Sequence, residues 1–171
     1  MATSLYMGTT TRADFDRARR LAWLGQLVNR LLRRDASLLS LETADRLLPY
    51  HTRHDAGIQL VRVSQVQGSA GRARDFDRAF RPLHNSTMQR WLSIDEAHYA
   101  GVSLPPVELV KVGEVYFVAD GHHRISVAKF WRQEFIEAHV VEVVVPRLVR
   151  RAEDITRWED YSRPTTPQPA V

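Results

Sequence analysis

Between Tyr116 and Ala128 the chain reads Tyr-Phe-Val-Ala-Asp-Gly-His-His-Arg-Ile-Ser-Val-Ala, and the side chains best suited to chemistry fall together at its centre. An apolar run, predicted as a strand, delivers the chain to Asp120. Gly121 permits an unusual backbone angle and a close approach by a ligand. A helix is predicted to start there, so free N–H groups and the positive end of its dipole face one spot. His122, His123 and Arg124 add donors at that spot. The arrangement favours an anion, most naturally a phosphate. A histidine pair at such a junction could equally serve capping or packing.

A second candidate is Gly68-Ser69-Ala70-Gly71-Arg72. Its glycines would let backbone donors form an anion nest, with Ser69 and Arg72 as ligand contacts. It is not a P-loop, because Gly-Lys-Ser/Thr is missing. The competing reading is a surface loop whose Arg72 or Arg74 pairs with Asp75 or Asp77. His51-x-x-His54-Asp55 has metal-like spacing but implies no third ligand. Trp23, Trp91, Trp131 and Trp158 lie on apolar faces, and the first three are expected in the core.

The elements that must position these residues follow from periodicity. Phe15, Ala18, Leu21, Leu24, Val28, Leu31 and Leu32 predict a helix over 14–34, with its arginines mostly off that stripe. The expected partner for this stripe is the chain's own domain, ahead of a dimer interface or a membrane surface. A short helix over 41–48, capped by Ser40, precedes a connector over 50–57. Strands are predicted over 58–63, 107–112, 115–118 and 137–145. Helices are predicted from Ser86 or Thr87 to His98, over 122–132, and over 152–158. Residues 1–11 and 162–171 are expected to lack structure. The result is an α+β chain: a helical N-terminal extension over 1–57, a small mixed domain over 58–146, and a tail over 147–171.

From Leu60 to Val145 the chain resembles the ParB-like, sulfiredoxin-like superfamily. The resemblance rests on strand Leu60–Val63, Asp75-Phe76-Asp77, Leu92-Ser93-Ile94, and Gly101 before Leu104-Pro105-Pro106-Val107. It continues through the hairpin, Asp120-Gly121-His122-His123-Arg124, Ser126-Val127-Ala128 and the last strand. It implies a compact α+β fold whose Gly-x-x-Arg turn contacts the phosphates of ATP, ADP or CTP, with or without Mg²⁺. Sulfiredoxins carry Gly-Cys-His-Arg at this turn, and here His122 replaces the cysteine. Chromosome-partition ParB proteins carry Gly-Glu-Arg-Arg, and here His122 and His123 depart. Free-serine kinases carry Asp-Gly-His-Thr-Arg, the nearest of the three, with only His123 different. For phosphoryl transfer the implied roles are phosphate binding by Gly121, His122, His123 and Arg124. Asp120 would bind Mg²⁺ or orient the nucleophile, and His122 would stabilise charge at the transferring group.

Composition narrows the choice. The chain has 171 residues and no cysteine, which excludes disulfides, thiolate catalysis and therefore sulfinic-acid reduction. No run of about 18 apolar residues predicts a membrane span, and the N-terminus lacks a secretion-signal pattern. A cytoplasmic protein is expected. Residues 1–34 hold seven Arg against two Asp, net +5, whereas 91–145 hold four basic against eight acidic residues, net −4. An Arg-rich arm suits a polyanion such as DNA, or is simply a solvated face. Three readings result: a regulatory nucleotide-binding module, a phosphotransferase or nucleotide hydrolase, and a DNA-associated protein using the basic helix. A homodimer is a further expectation.

Overall fold

The computed structural model describes residues 2–33, 37–47, 52–144 and 154. The tail helix expected over 152–158 lies outside the described residues except for Asp154, as does His51. The fold is α+β: a mixed six-stranded sheet with helices, led by a long N-terminal helix. The helices are α1 (Ala2–Leu31), α2 (Leu41–Leu47), α3 (Met88–Tyr99) and α4 (His122–Phe130). The strands are β1 (Leu39–Ser40), β2 (Arg53–Arg62), β3 (Val66–Ser69), β4 (Val107–Val112), β5 (Val115–Asp120) and β6 (Phe135–Val143). Among the described residues, no helix is long and apolar enough to cross a membrane.

The sheet order is β1-β3-β5-β4-β6-β2. β1, β3 and β5 run parallel, as do β4 and β6. The hairpin β4–β5 and the edge pair β6–β2 are antiparallel. β5 is central and Val115 to Val118 are all buried, the continuous apolar run expected of a strand covered on both faces. One face carries Val107, Leu109, Val118 and Val140 against Ile125 of α4 and the loop residues Phe76 and Phe80. The other carries Val110, Val112 and Phe117 against Leu41 and Ala44 of α2. A third cluster, Phe15, Ala18, Trp91 and Val127, joins α1 and α3 to α4.

Several expectations change here. Residues 2–11, expected to lack structure, continue α1 to Ala2. The connector over 50–57 is largely strand, since β2 begins at Arg53. Leu39–Ser40 join the sheet as a two-residue strand, which leaves Ser40 in β1. Gln67, Gly68 and Ser69, expected as the start of a loop, belong to β3. Gly68 is there because a Cβ would lie 2.3 Å from the Phe117 ring and 2.9 Å from the Leu39 carbonyl oxygen. The apolar stripe of α1 also divides. Thr11, Phe15, Ala18 and Ala22 face the domain, while Leu21, Leu24, Val28, Leu31 and Leu32 face outward. Trp23 is 63% exposed and not in the core, and Trp131 is partly exposed with its indole N–H donated to Asp95 Oδ1 at 2.7 Å. Trp91 is fully buried and donates to Ser126 Oγ at 3.0 Å.

Candidate functional site

β5 ends at Asp120, and Gly121 is the N-cap of α4 with φ 90° and ψ 24°. That left-handed conformation is readily adopted only by glycine. A Cβ at this position would also lie 2.6 Å from Val107 Cγ1 and 3.0 Å from the Arg124 guanidinium. The turn is therefore fixed both by backbone angle and by space. No side chain caps α4, so the N–H groups of its first turn point outward with the positive end of the dipole.

Around this helix end lies a cavity of about 460 Å³. Gly71, Arg72, Arg90 and Asp120 to Arg124 line it. The structure thus brings Asp120, Gly121, His122, His123, Arg124 and Arg72 to one place, though not in equivalent roles. His123 is buried, and its Nε2 has no hydrogen-bond partner. A buried donor or acceptor left unpaired is costly, so this atom is where a ligand would gain most. His122 turns inward. Its Nε2 shares a hydrogen bond with Ser69 Oγ at 2.8 Å, and Ser69 Oγ accepts the Arg72 N–H at 3.1 Å.

Ser69, expected as a ligand contact, is buried and holds His122 and the 70–72 loop in place. The expected nest is correspondingly reduced, because the Ala70 N–H donates to the Val118 carbonyl and the Arg72 N–H to Ser69. Arg124 is chiefly a clamp. Its Nη2 donates to Asp120 Oδ2 at 2.9 Å, and its Nη1 donates to the carbonyls of Pro105 and Pro106. These bonds use three of its five donors. They tie the extended Pro105-Pro106 segment to the turn.

Burial pushes the His122 imidazole down to about 4, with Arg72 and His123 adding to the effect. Burial does the same for His123, again to about 4, helped by Arg72 and Arg90. Both rings are neutral at pH 7. Their positions are set by Phe76, which stacks on His122 at 6.2 Å and meets His123 edge-on at 5.4 Å. Asp120, expected to hold Mg²⁺, is mostly exposed and paired with Arg124. Among the described residues, no three His, Asp or Glu side chains gather as a metal-binding group. His54 and Asp55, two of the three candidate ligands in the metal-like run, pair instead with Glu142 and His139.

Two site residues escaped sequence reasoning. Arg90 sits in the first turns of α3, one place before the buried Trp91, which should have placed it near the same junction. Phe76 is a large apolar residue between two aspartates, a pattern that signals a loop folded inward. A second cavity of about 510 Å³ lies beyond Arg124 and Ile94, which line both, with Leu104, Val127 and Phe135 among its walls.

Comparison with protein-family models, curated proteins and solved structures finds no match for this chain.

Proposed function

We propose that the protein is a ParB-like nucleotide-binding module that holds phosphate groups at the N-terminus of α4 and acts as a regulatory component. The observation that carries this reading is the uncapped helix end facing a cavity that contains a buried, unpartnered His123 Nε2. A neutral imidazole N–H can donate to a phosphate oxygen, as can the first-turn amides. Arg72, whose Nη1 stands 3.8 Å from Asp75 Oδ2, and Arg90 supply the positive charge, since Arg124 is committed more fully to the chain itself. The resemblance of Asp120–Arg124 to the turn of ParB-like and sulfiredoxin-like proteins points to ATP, ADP or CTP. The neighbouring cavity behind Arg124 is the nearest place for a base or an acceptor.

The enzyme reading is favoured by one feature, the exposed Asp120 carboxylate at the cavity mouth, which Mg²⁺-nucleotide could reach. On the DNA reading, the exposed Arg17, Arg20 and Arg30 of α1 are interspersed with exposed Leu24, Leu27, Val28 and Leu31, so its outward side is not a continuous basic face. Calorimetric titration with ATP, ADP, CTP and inorganic triphosphate, with and without Mg²⁺, tests the proposal. At least one nucleotide should bind. The double variant Arg72→Ala/Arg90→Ala should weaken it by roughly 10- to 100-fold, the effect of losing charge-assisted hydrogen bonds. Absence of binding by all four ligands, or affinity unchanged in the double variant, would refute it. Product analysis of the bound nucleotide separates a module from a phosphotransferase or hydrolase.

A further inference from the structure

The chain carries 24 lysines and arginines, and only two of them, Lys111 and Lys129, are lysines. Lys111 pairs with Glu142 at 2.9 Å on the sheet. Lys129, near the end of α4, makes no ion pair among the described residues. Its Nζ donates to the Val66 carbonyl at 2.6 Å and lies 4.8 Å from the centre of the Phe80 ring. A guanidinium keeps its proton in a protein, whereas a lysine amine enclosed away from water gives one up readily. Neutral Lys129 would lose neither contact. One N–H still serves Val66, the other faces the Phe80 ring, and a lone pair is left over. Burial lowers the amine to about 8, against the pull of Asp77. At pH 7 about a tenth of it is then neutral, against about one part in three thousand at the ordinary 10.5.

Lys129 lines a cavity of about 470 Å³ between α1, the loop at Ala79 and Arg81, and the end of α4. This cavity shares no lining residue with the one at the start of α4. Arg17, Arg81 and Arg132 line it too, and Asp14 is the sole carboxylate among its lining residues. Asp14 accepts the Tyr99 hydroxyl at 2.8 Å, and Arg81 is held by Asp77 and the Leu21 carbonyl. Arg17 and Arg132 make no ion pair among the described residues, which leaves both for an incoming anion. Two residues here also hold left-handed backbone angles. Phe80, against the amine, has φ 58°, and Arg132 has φ 55° in the position after α4 that glycine ordinarily fills. Residues other than glycine keep such angles where the surrounding structure holds them, and they cluster at ligand sites.

We propose that Lys129 is a reactive amine that captures a small carbonyl compound bearing a carboxylate or phosphate, with Arg17 and Arg132 drawing in the acid group. The neutral Nζ bonds to the carbonyl carbon. The carbonyl oxygen leaves as water with the two amine hydrogens, giving an imine without net oxidation or reduction. The charged groups around the amine are Asp77 and Arg81 of the loop, Asp14 and Arg17 of α1, and Arg132 after α4. Cyanoborohydride turns the imine into a stable secondary amine, which peptide mass spectrometry assigns among two lysines and the N-terminal amine. Glyoxylate carries a carboxylate, glycolaldehyde phosphate a phosphate, and propionaldehyde no charge. At least one of the two acids should label Lys129 of the native chain about 10-fold faster than Lys111, with a rate midpoint near pH 8. The faster acid identifies the group that the arginines hold. Arg17→Gln/Arg132→Gln should slow labelling by that acid about 10-fold and leave propionaldehyde labelling unchanged. If both acids label Lys129 no faster than Lys111, the amine only fastens Val66 and the inference is overturned. Acid labelling at the native rate in the double variant overturns it as well.

Discussion

Gly121 carries two demands at once, a positive φ and a gap of less than a methyl group beside Val107 and Arg124. Gly121→Ala should therefore cost about 1–3 kcal/mol in urea unfolding, from backbone strain and the displaced neighbours together. It should weaken ligand binding further, by shifting the first-turn amides of α4. A variant as stable as the native chain would mean the turn relaxes freely. His122 and His123 behave as a pair for a different reason. Their folded-state values near 4 lie below the ordinary 6.5, because burial penalises their charged forms. Unfolded chain then binds more protons than folded chain between pH 4 and 6.5. The stability these neutral rings contribute is complete above pH 6.5 and is lost as pH falls toward 4.

α3 and α4 are joined by two indole donors, Trp91 to Ser126 and Trp131 to Asp95, and by the Trp131 ring stacked on His98. Asp95 is fully buried, and its second oxygen has no partner. Burial raises this carboxyl to about 6, against the hydrogen bond from Trp131. The folded state thus favours the protonated form, and the cost of ionisation grows as pH rises from 3.8 through 6. Asp95→Asn keeps an oxygen for Trp131 and removes the charge. It should stabilise the protein by about 1–2 kcal/mol at pH 8, with little change at pH 4. Equal stability of the two chains at pH 8 would show the carboxylate to be better solvated than its burial implies. The same elements mark how much the sequence disclosed. α3, α4, β4 and β5 were legible because their periodicity is unbroken and Gly101, Gly113 and Gly121 punctuate them. β3 was not, because Gly68 and Ser69 read as turn residues. Gly68 is glycine to admit the Phe117 ring, a demand made by a strand about fifty residues away. The direction of α1 was hidden similarly. Its leucines form a regular stripe, but the partner chosen by Phe15 and Ala18 lies on another side. At the site, the turn was legible from its residue types. The commitment of Arg124 to Pro105 and Pro106 was not, because it depends on where an extended segment passes.

At the scale of the molecule the titrations combine. Acidification from pH 6.5 to 4 works against two buried histidines and in favour of one buried carboxyl. His139, held between Glu108 and Asp55, is raised, so its contribution is present below pH 6.5 and is lost as pH rises. The two histidines outweigh Asp95 in number at similar displacement, so the urea midpoint should fall between pH 6.5 and 4. His122→Asn/His123→Asn should flatten that slope. A native midpoint that holds steady or rises over this range would contradict the neutral assignment of both rings. The topology has a last consequence for motion. α4 is the crossover between β5 and β6, and β6 pairs with both β4 and β2. The helix that presents the candidate ligand amides therefore cannot swing away while β6 stays zipped on both sides. Its amide hydrogens should exchange with solvent through sub-global opening rather than local fraying. A ligand held at the helix end would then slow exchange along β6, a strand that does not line the helix-end cavity.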